Sequence, residues 1–286
     1  MTTPRMGTLF QEHVFLGANF EPSIDESYQR VSSYAGEKDA VDAMAKGCVL
    51  CDLTGATYQL VSGPDAAAMA QAAFCAKRLA VGECAFEPAL GGDGCLMSVP
   101  LVVRCGDTEH VAVDLSSRGP IAQAWLGFLA TAEQDGVRPY GNTTIEDATS
   151  MLTPLMLAGA AASHVLSDYL HGQALPKPGQ VASLNLDAIS AVVACAPVAP
   201  SGIQAYFLFI PPTKARVLWR SFLSFEEVTP VGLLGAKKAL FSTVPFGNLC
   251  EKNDKVIVTK DELASMGLLR SDGGFIGCQA LEATDR

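Results

Sequence analysis

GGDGCLMSVPLVVR, residues 91–104, is the stretch from which the fold is best read. Glycine and Asp-Gly supply the positive φ angles of a hairpin, so Gly91 to Gly94 predicts a tight reversal. The run from Cys95 to Val103 is apolar and rich in β-branched residues. That composition predicts one strand, buried on both faces and ending at Arg104. Ser98 is the polar residue within it. An unpaired buried hydroxyl costs roughly 1–3 kcal/mol, so Ser98 is expected to be hydrogen-bonded or to face a cavity.

Outward from this strand the chain follows a pattern that occurs twice. The first copy opens with Asp52-Leu53-Thr54, runs through the apolar Tyr58 to Val61 and reaches Gly63. Gly63-Pro64-Asp65 then starts an alanine-rich helix over 66–79, with proline suited to the first turn. Strands are expected at about 84–90, 95–104 and 110–115, and Pro120 opens a helix holding Trp125 to Leu129. The second copy opens with Asp147-Ala148-Thr149, passes Leu155 to Leu157 and Gly159, and predicts a helix over 160–170. Strands near 181–186, 188–195 and 205–210 follow, and Pro211-Pro212 opens a helix holding Trp219 to Leu223. Each tryptophan is expected to anchor its helix to its sheet. The fold class is therefore α+β: two similar β-α-β-β-β-α lobes with antiparallel sheets covered by helices. An entry segment, with a short helix over 37–46, and the first lobe take residues 1–145. The second lobe and a tail take 146–286. In the tail, a strand at 256–258, a helix at 260–266 and a turn at 273–277 precede a polar end.

Hydrophobic residues make up 49% of the 286 and charged residues 17%, so a large core is available and bulk disorder is excluded. A net charge of −10 argues against nucleic acid or an anionic membrane as partner. No apolar signal segment opens the chain and no membrane span is expected, which predicts a cytoplasmic protein. Nine cysteines are expected as reduced thiols. Cys48 and Cys51 form a CxxC without a second ligand pair, so no metal site is expected. The four histidines show neither triad nor HExxH spacing. GGDG is a turn rather than a phosphate loop, because no Gly-Lys-Ser/Thr and helix follow it.

Seven segments in order carry a resemblance. LFQEHVFLGANFEP (9–22) and CDLTGATYQLVSGPDA (51–66) resemble the opening of the glycine-cleavage T-protein family, the aminomethyltransferases and related folate-dependent demethylases. GECAFEPALGGDGCLMSVPLVVR (82–104), AYFLFIPP (205–212) with its following Leu-Trp helix, VGLLGAKKAL (231–240) and GGFIGCQAL (273–281) resemble later segments of the same family. The resemblance implies the aminomethyltransferase folate-binding fold, with tetrahydrofolate as cofactor between similar lobes. It also implies a C-terminal β-barrel, which is expected to be absent here or supplied by a partner subunit. Glycine at 274, where the iron–sulfur repair branch carries cysteine, counts against that branch.

The departures define the candidate site. The family's Asp-Asp pair aligns with Ser98 and Val99, and positioned acid–base groups contribute roughly 10²–10⁴-fold in rate. Ser98 is the candidate catalytic residue, suited to hydrogen bonding but not to a carboxylate's role. Pro100 is shared with the demethylase pattern. Asp114 falls where the family has Asn, and the alternative for it is a carboxylate ahead of the next helix. Gln204 replaces an acidic contact to the pterin, and Phe86 replaces a tyrosine. Met97 is expected to pack the pterin, and Lys237 stands where the family has an arginine. The cofactor-binding candidates are thus Phe86, Met97, Asp114, Gln204 and Lys237.

Two functions follow from the resemblance. One is a tetrahydrofolate-dependent methyltransferase of the demethylase type, moving a methyl or methylene group from a small methyl or aminomethyl donor to folate N5. The other is a non-catalytic folate-binding or structural subunit of a complex.

Overall fold

The computed structural model describes residues 4–22, 27–252 and 254–284. Residues 1–3 of the entry segment and 285–286 of the polar end lie outside them. The fold is α+β, and it divides into two compact units.

The first unit runs up to Ala56 and resumes over Ala148–Val244. Its six-stranded sheet has the order Gln180–Leu186, Ile189–Ala196, Gln204–Ile210, Thr153–Gly159, Cys48–Asp52, Val228–Pro230. All neighbours are antiparallel except the last pair. Helix Pro212–Phe222 places Ala215, Leu218, Trp219 and Phe222 on one buried stripe at i, i+3, i+4 and i+7. Those side chains join Leu50, Leu157, Val193 and Leu208 in one core, each large one contributing roughly 1.5–3 kcal/mol by burial.

The second unit comprises Thr57–Asp147 and the chain from Pro245. Its five-stranded antiparallel sheet has the order Thr144–Asp147, Thr57–Ser62, Glu109–Asp114, Leu101–Arg104, Cys84–Phe86. Helices Ala66–Ala73 and Gly119–Thr131 cover one face, where Met69, Val102, Ala112, Leu126 and Leu129 form the core. A three-stranded sheet joins Val256–Ile257, Cys95–Ser98 and Ala89–Leu90. Among the described residues no closed barrel occurs.

The repeat is real in the topology. Strands 84–86, 101–104, 109–114 and 57–62 neighbour one another in the same order as 180–186, 189–196, 204–210 and 153–159. Gly63 follows, and Gly159 ends, the corresponding strand, with φ of 116° and 150°. A Cβ at either would meet a backbone oxygen, Asn142 O at 2.1 Å or Gly47 O at 2.3 Å, so glycine is required at both.

Three expectations are corrected. The division at 145/146 falls inside strand Thr144–Asp147 and does not separate the compact units. Strand 48–52, ahead of the first copy, pairs with 153–159 of the second, while 144–147 pairs back onto 57–62. Next, 95–104 is not one strand. Cys95–Ser98 and Leu101–Arg104 lie in different sheets, and the break contains Pro100, which has no ladder donor. The alanine-rich helix stops at Ala73 rather than at 79. Phe74 bridges to Ala89, and the Ala76 and Lys77 amides donate to the Glu87 carboxylate, so tertiary partners draw the chain out of the helix. Both tryptophans pack their helices onto their sheets: Trp219 is fully buried in the first unit's core, and Trp125 is half-buried, packs against the second unit's core and stacks on the exposed Phe128.

Candidate functional site

Ser98 ends its strand opposite Ala89, and Asp114 ends the neighbouring sheet's strand opposite Thr57. Both are buried. The Ser98 hydroxyl donates to Asp114 Oδ2 at 2.5 Å, and the Ser116 amide donates to Asp114 Oδ1 at 2.8 Å. Ser98 and Ser116 hydroxyl oxygens are 3.1 Å apart. Since the Ser98 proton goes to the carboxylate, Ser116 donates in that contact. Ser116 Oγ in turn accepts from the Arg118 amide at 3.1 Å. Asp114, Ser116 and Arg118 thus form two successive side-chain turns that lead into helix Gly119–Thr131. Asp114 does organise a helix entry, as the alternative expectation had it, and it holds Ser98 as well.

Arg118 is the cation of this site. Its guanidinium donates to the carbonyls of Met97 (2.9 Å), Leu96 (2.5 Å), Lys252 (2.8 Å) and Asp254 (3.0 Å). It therefore ties the strand bearing Ser98 to the segment after Cys250. Burial pushes the Asp114 carboxyl up from its ordinary value, against the pull of the Ser116 and Ser98 hydrogen bonds and the Arg118 charge. Cys250 is held up at about 12, first by burial and then by the Asp114 charge.

The other candidates divide between environments. Met97 packs into the helix-covered core and lends its carbonyl to Arg118. Phe86 lies with its ring 5.1 Å from that of Phe246. Gln204 and Lys237 belong to the other compact unit. There the Gln204 carbonyl oxygen accepts from the Cys195 thiol at 3.4 Å, and Lys237 lies on helix Leu233–Phe241. The structure thus brings Ser98, Asp114 and Met97 together and leaves Phe86 in a separate ring contact.

Sequence reasoning passed over Arg118, Cys250 and Gln59. The last is buried two residues from Thr57, with its Oε1 unpaired among the described residues. The alternation Asp114-x-Ser116-x-Arg118 was the available signal for the first. His13 was also missed: it is buried, its Nε2 2.8 Å from Asp52 and its Nδ1 2.7 Å from the Tyr34 hydroxyl. Cys48 and Cys51 are free thiols on opposite faces of one strand. Among the described residues no three His, Cys, Asp or Glu side chains are placed to hold a metal, and no helix is long and apolar enough to cross a membrane.

The sequence pattern of the GCVT N-terminal domain matches residues 9–239. The chain belongs to that family. It is similar to the crystal structure of glycine cleavage system aminomethyltransferase T from Bartonella henselae, at 18% identity over 98% of this chain and 74% of that one, with a TM-score of 0.69. At that identity the likeness establishes the aminomethyltransferase fold. A weaker similarity, 15% identity over 77% of this chain and 93% of the other with a TM-score of 0.43, is to the heterotetrameric sarcosine oxidase from Corynebacterium sp. U-96 in complex with pyrrole 2-carboxylate. No curated protein matches the chain.

Proposed function

We propose that this GCVT-family chain binds tetrahydrofolate in the cytoplasm and moves a methyl or methylene group from a small donor to folate N5, in the manner of a demethylase. The observation that carries this is the Ser98–Asp114 pair. The carboxylate missing at position 98 stands at the end of a strand of the other sheet, 2.5 Å from the serine hydroxyl.

The side chains suit the cofactor in part. Within the unit that holds the pair, Phe86 offers an aromatic face and Met97 an apolar one, while both Asp114 oxygens are bonded within the protein. Bound folate would supply the nucleophilic nitrogen that accepts the one-carbon group. The protein's own part is to manage a proton. As carboxylate, Asp114 takes the Ser98 hydrogen. As acid, which its raised pKa favours, it donates to Ser98 Oγ and frees the serine hydroxyl to donate to a donor amine or ether.

Titration with tetrahydrofolate, followed by thermal stability and ligand fluorescence, tests binding; no saturable shift at micromolar ligand defeats the proposal. Methyl transfer from candidate donors then tests chemistry, with Ser98→Ala and Asp114→Asn as variants. Full activity in both would remove the pair from the mechanism.

A non-catalytic folate-binding or structural subunit of a complex is favoured by one specific observation. Ser98 and Asp114 are buried, and each of their side-chain oxygens is already hydrogen-bonded within the protein. Binding without transfer is its signature.

A further inference from the structure

The turn that opens strand Cys95–Ser98 carries a cluster of reactive side chains away from the Ser98–Asp114 pair. The Gly94 amide donates to Gly91 O at 3.0 Å and the Gly91 amide to Cys95 O at 2.8 Å, which closes the turn. Within it the Cys95 amide donates to Asp93 Oδ1 at 3.1 Å, so the carboxylate is fixed over the first residue of the strand. Asp93 Oδ2 then accepts twice, from the Cys95 thiol at 3.2 Å and from the Lys255 ammonium at 3.0 Å. Cys95 Sγ and Lys255 Nζ therefore meet on one oxygen atom. The ammonium also hydrogen-bonds the sulfur.

Backbone pairing holds this arrangement. Ile257 stands opposite Cys95 and Val256 opposite Leu96 in an antiparallel ladder. Opposite residues share a face of the sheet and alternate residues return to it, so Lys255 belongs to the face of Cys95. A diagonal neighbour of this kind is within reach of a long side chain. The same alternation puts Ser98 on the other face. Arg118 anchors the two segments further, through the carbonyls of Leu96 and Met97 on one and of Lys252 and Asp254 on the other.

We propose that Cys95 and Lys255 form an oxidative modification site, at which one atom of dioxygen is inserted between them as a covalent nitrogen–oxygen–sulfur cross-link. The reaction takes the thiol, the neutral amine and one dioxygen. The Sγ–H bond and one Nζ–H bond break, Sγ–O and O–Nζ bonds form, and the second oxygen atom leaves with both hydrogens as water. Sulfur and nitrogen together give up four electrons, and dioxygen takes up four. Lys255 first passes one proton to solvent, to which its side chain is 64% exposed. Cys95 is buried, which closes it to bulky reagents but not to dioxygen. Burial and the Asp93 bond hold the thiol above its ordinary value, and the Asp93 and Cys95 bonds hold the ammonium above its own. The cross-link therefore forms faster as pH rises. Four equivalents of a reducing thiol, leaving as two disulfides, return the thiol, the amine and one water.

The cross-link staples strand Val256–Ile257 to the strand that ends in Ser98. Oxidant thereby sets how firmly the segment after Cys250 is held against the candidate site.

The test is mass spectrometry of the full chain kept at alkaline pH under air or without oxygen, before and after dithiothreitol. Under air alone, a species heavier by one oxygen and lighter by two hydrogens is expected. Its Cys95 and Lys255 peptides should be joined, trypsin should no longer cut after Lys255, and dithiothreitol should restore the starting mass. Hydrogen exchange at Val256–Ile257 should slow in the cross-linked wild type. Lys255→Arg leaves Asp93 a cationic partner and should abolish the species. A Cys95 that gains oxygen alone, pairs with another cysteine or stays a free thiol under air would overturn the site. So would a joined species that forms without oxygen or persists in Lys255→Arg.

Discussion

Ser98 Oγ lies 2.5 Å from Asp114 Oδ2, and the two residues end strands of different sheets. This hydrogen bond and the Arg118 contacts clasp the small three-stranded sheet onto the larger one. The same atoms that make the candidate site chemically distinct are therefore structural.

Stability should respond to both members of the pair, in different ways. Because the Asp114 carboxyl is raised by burial, it makes the fold less stable as pH rises from the ordinary carboxylate value through the raised one. Asp114→Asn should flatten that slope in urea unfolding measured across pH. Ser98→Ala removes a donor that stabilises the carboxylate, so it should steepen the slope and cost roughly 1–3 kcal/mol at pH 7.

Arg118→Ala strips donors from four carbonyls on two segments. A loss of roughly 2–4 kcal/mol is expected. Arg118→Lys should recover only part of it, because an ammonium lacks the planar fork. Hydrogen exchange should show the damage first at Val256–Ile257 and at the strand holding Ser98. Uniform loss of protection would separate Arg118 from that clasp.

Glycine replacements should rank by what a Cβ would meet. Gly63→Ala and Gly159→Ala put the new atom onto backbone oxygens and should each cost at least about 2–3 kcal/mol. Gly172, with φ of 94° and open space around it, should cost only about 1 kcal/mol as alanine. Equal melting temperatures for the three variants would refute the ranking.

Thiol labelling in the native state should be selective. Cys105 and Cys278 are half-buried and the other seven cysteines are buried. Burial pushes Cys48 and Cys75 up to about 12, leaving almost no thiolate at pH 8. Fast modification of Cys278, slower modification of Cys105 and reaction of the rest only on unfolding are the expected order by mass spectrometry. Rapid labelling of Cys48 would contradict it.

Much of the second copy was legible from residues alone. Strands 180–186, 189–196 and 204–210 follow from β-rich runs broken by turn residues, and helix 212–222 follows from its proline and its apolar stripe. These signals act within a few residues, so composition and period determine them. The doubled pattern and the two matched glycines were legible for the same reason.

For GGDGCLMSVPLVVR, sequence predicted the hairpin turn and a polar Ser98 in need of a partner. Tertiary structure decided the rest. Residues 95–98 pair with Val256–Ile257, far along the chain, and no local pattern announces that. Helix 66–73 ends early because Glu87 and Ala89 compete for its last turn. Strand 48–52 leaves the first copy for the second because that is where its buried faces find partners. Ser98 meets Asp114, and not a bare carbonyl, only once two sheets close on each other. Local conformation is set by neighbours a few bonds away, whereas pairing and the buried polar network are set by which distant groups can satisfy one another away from water.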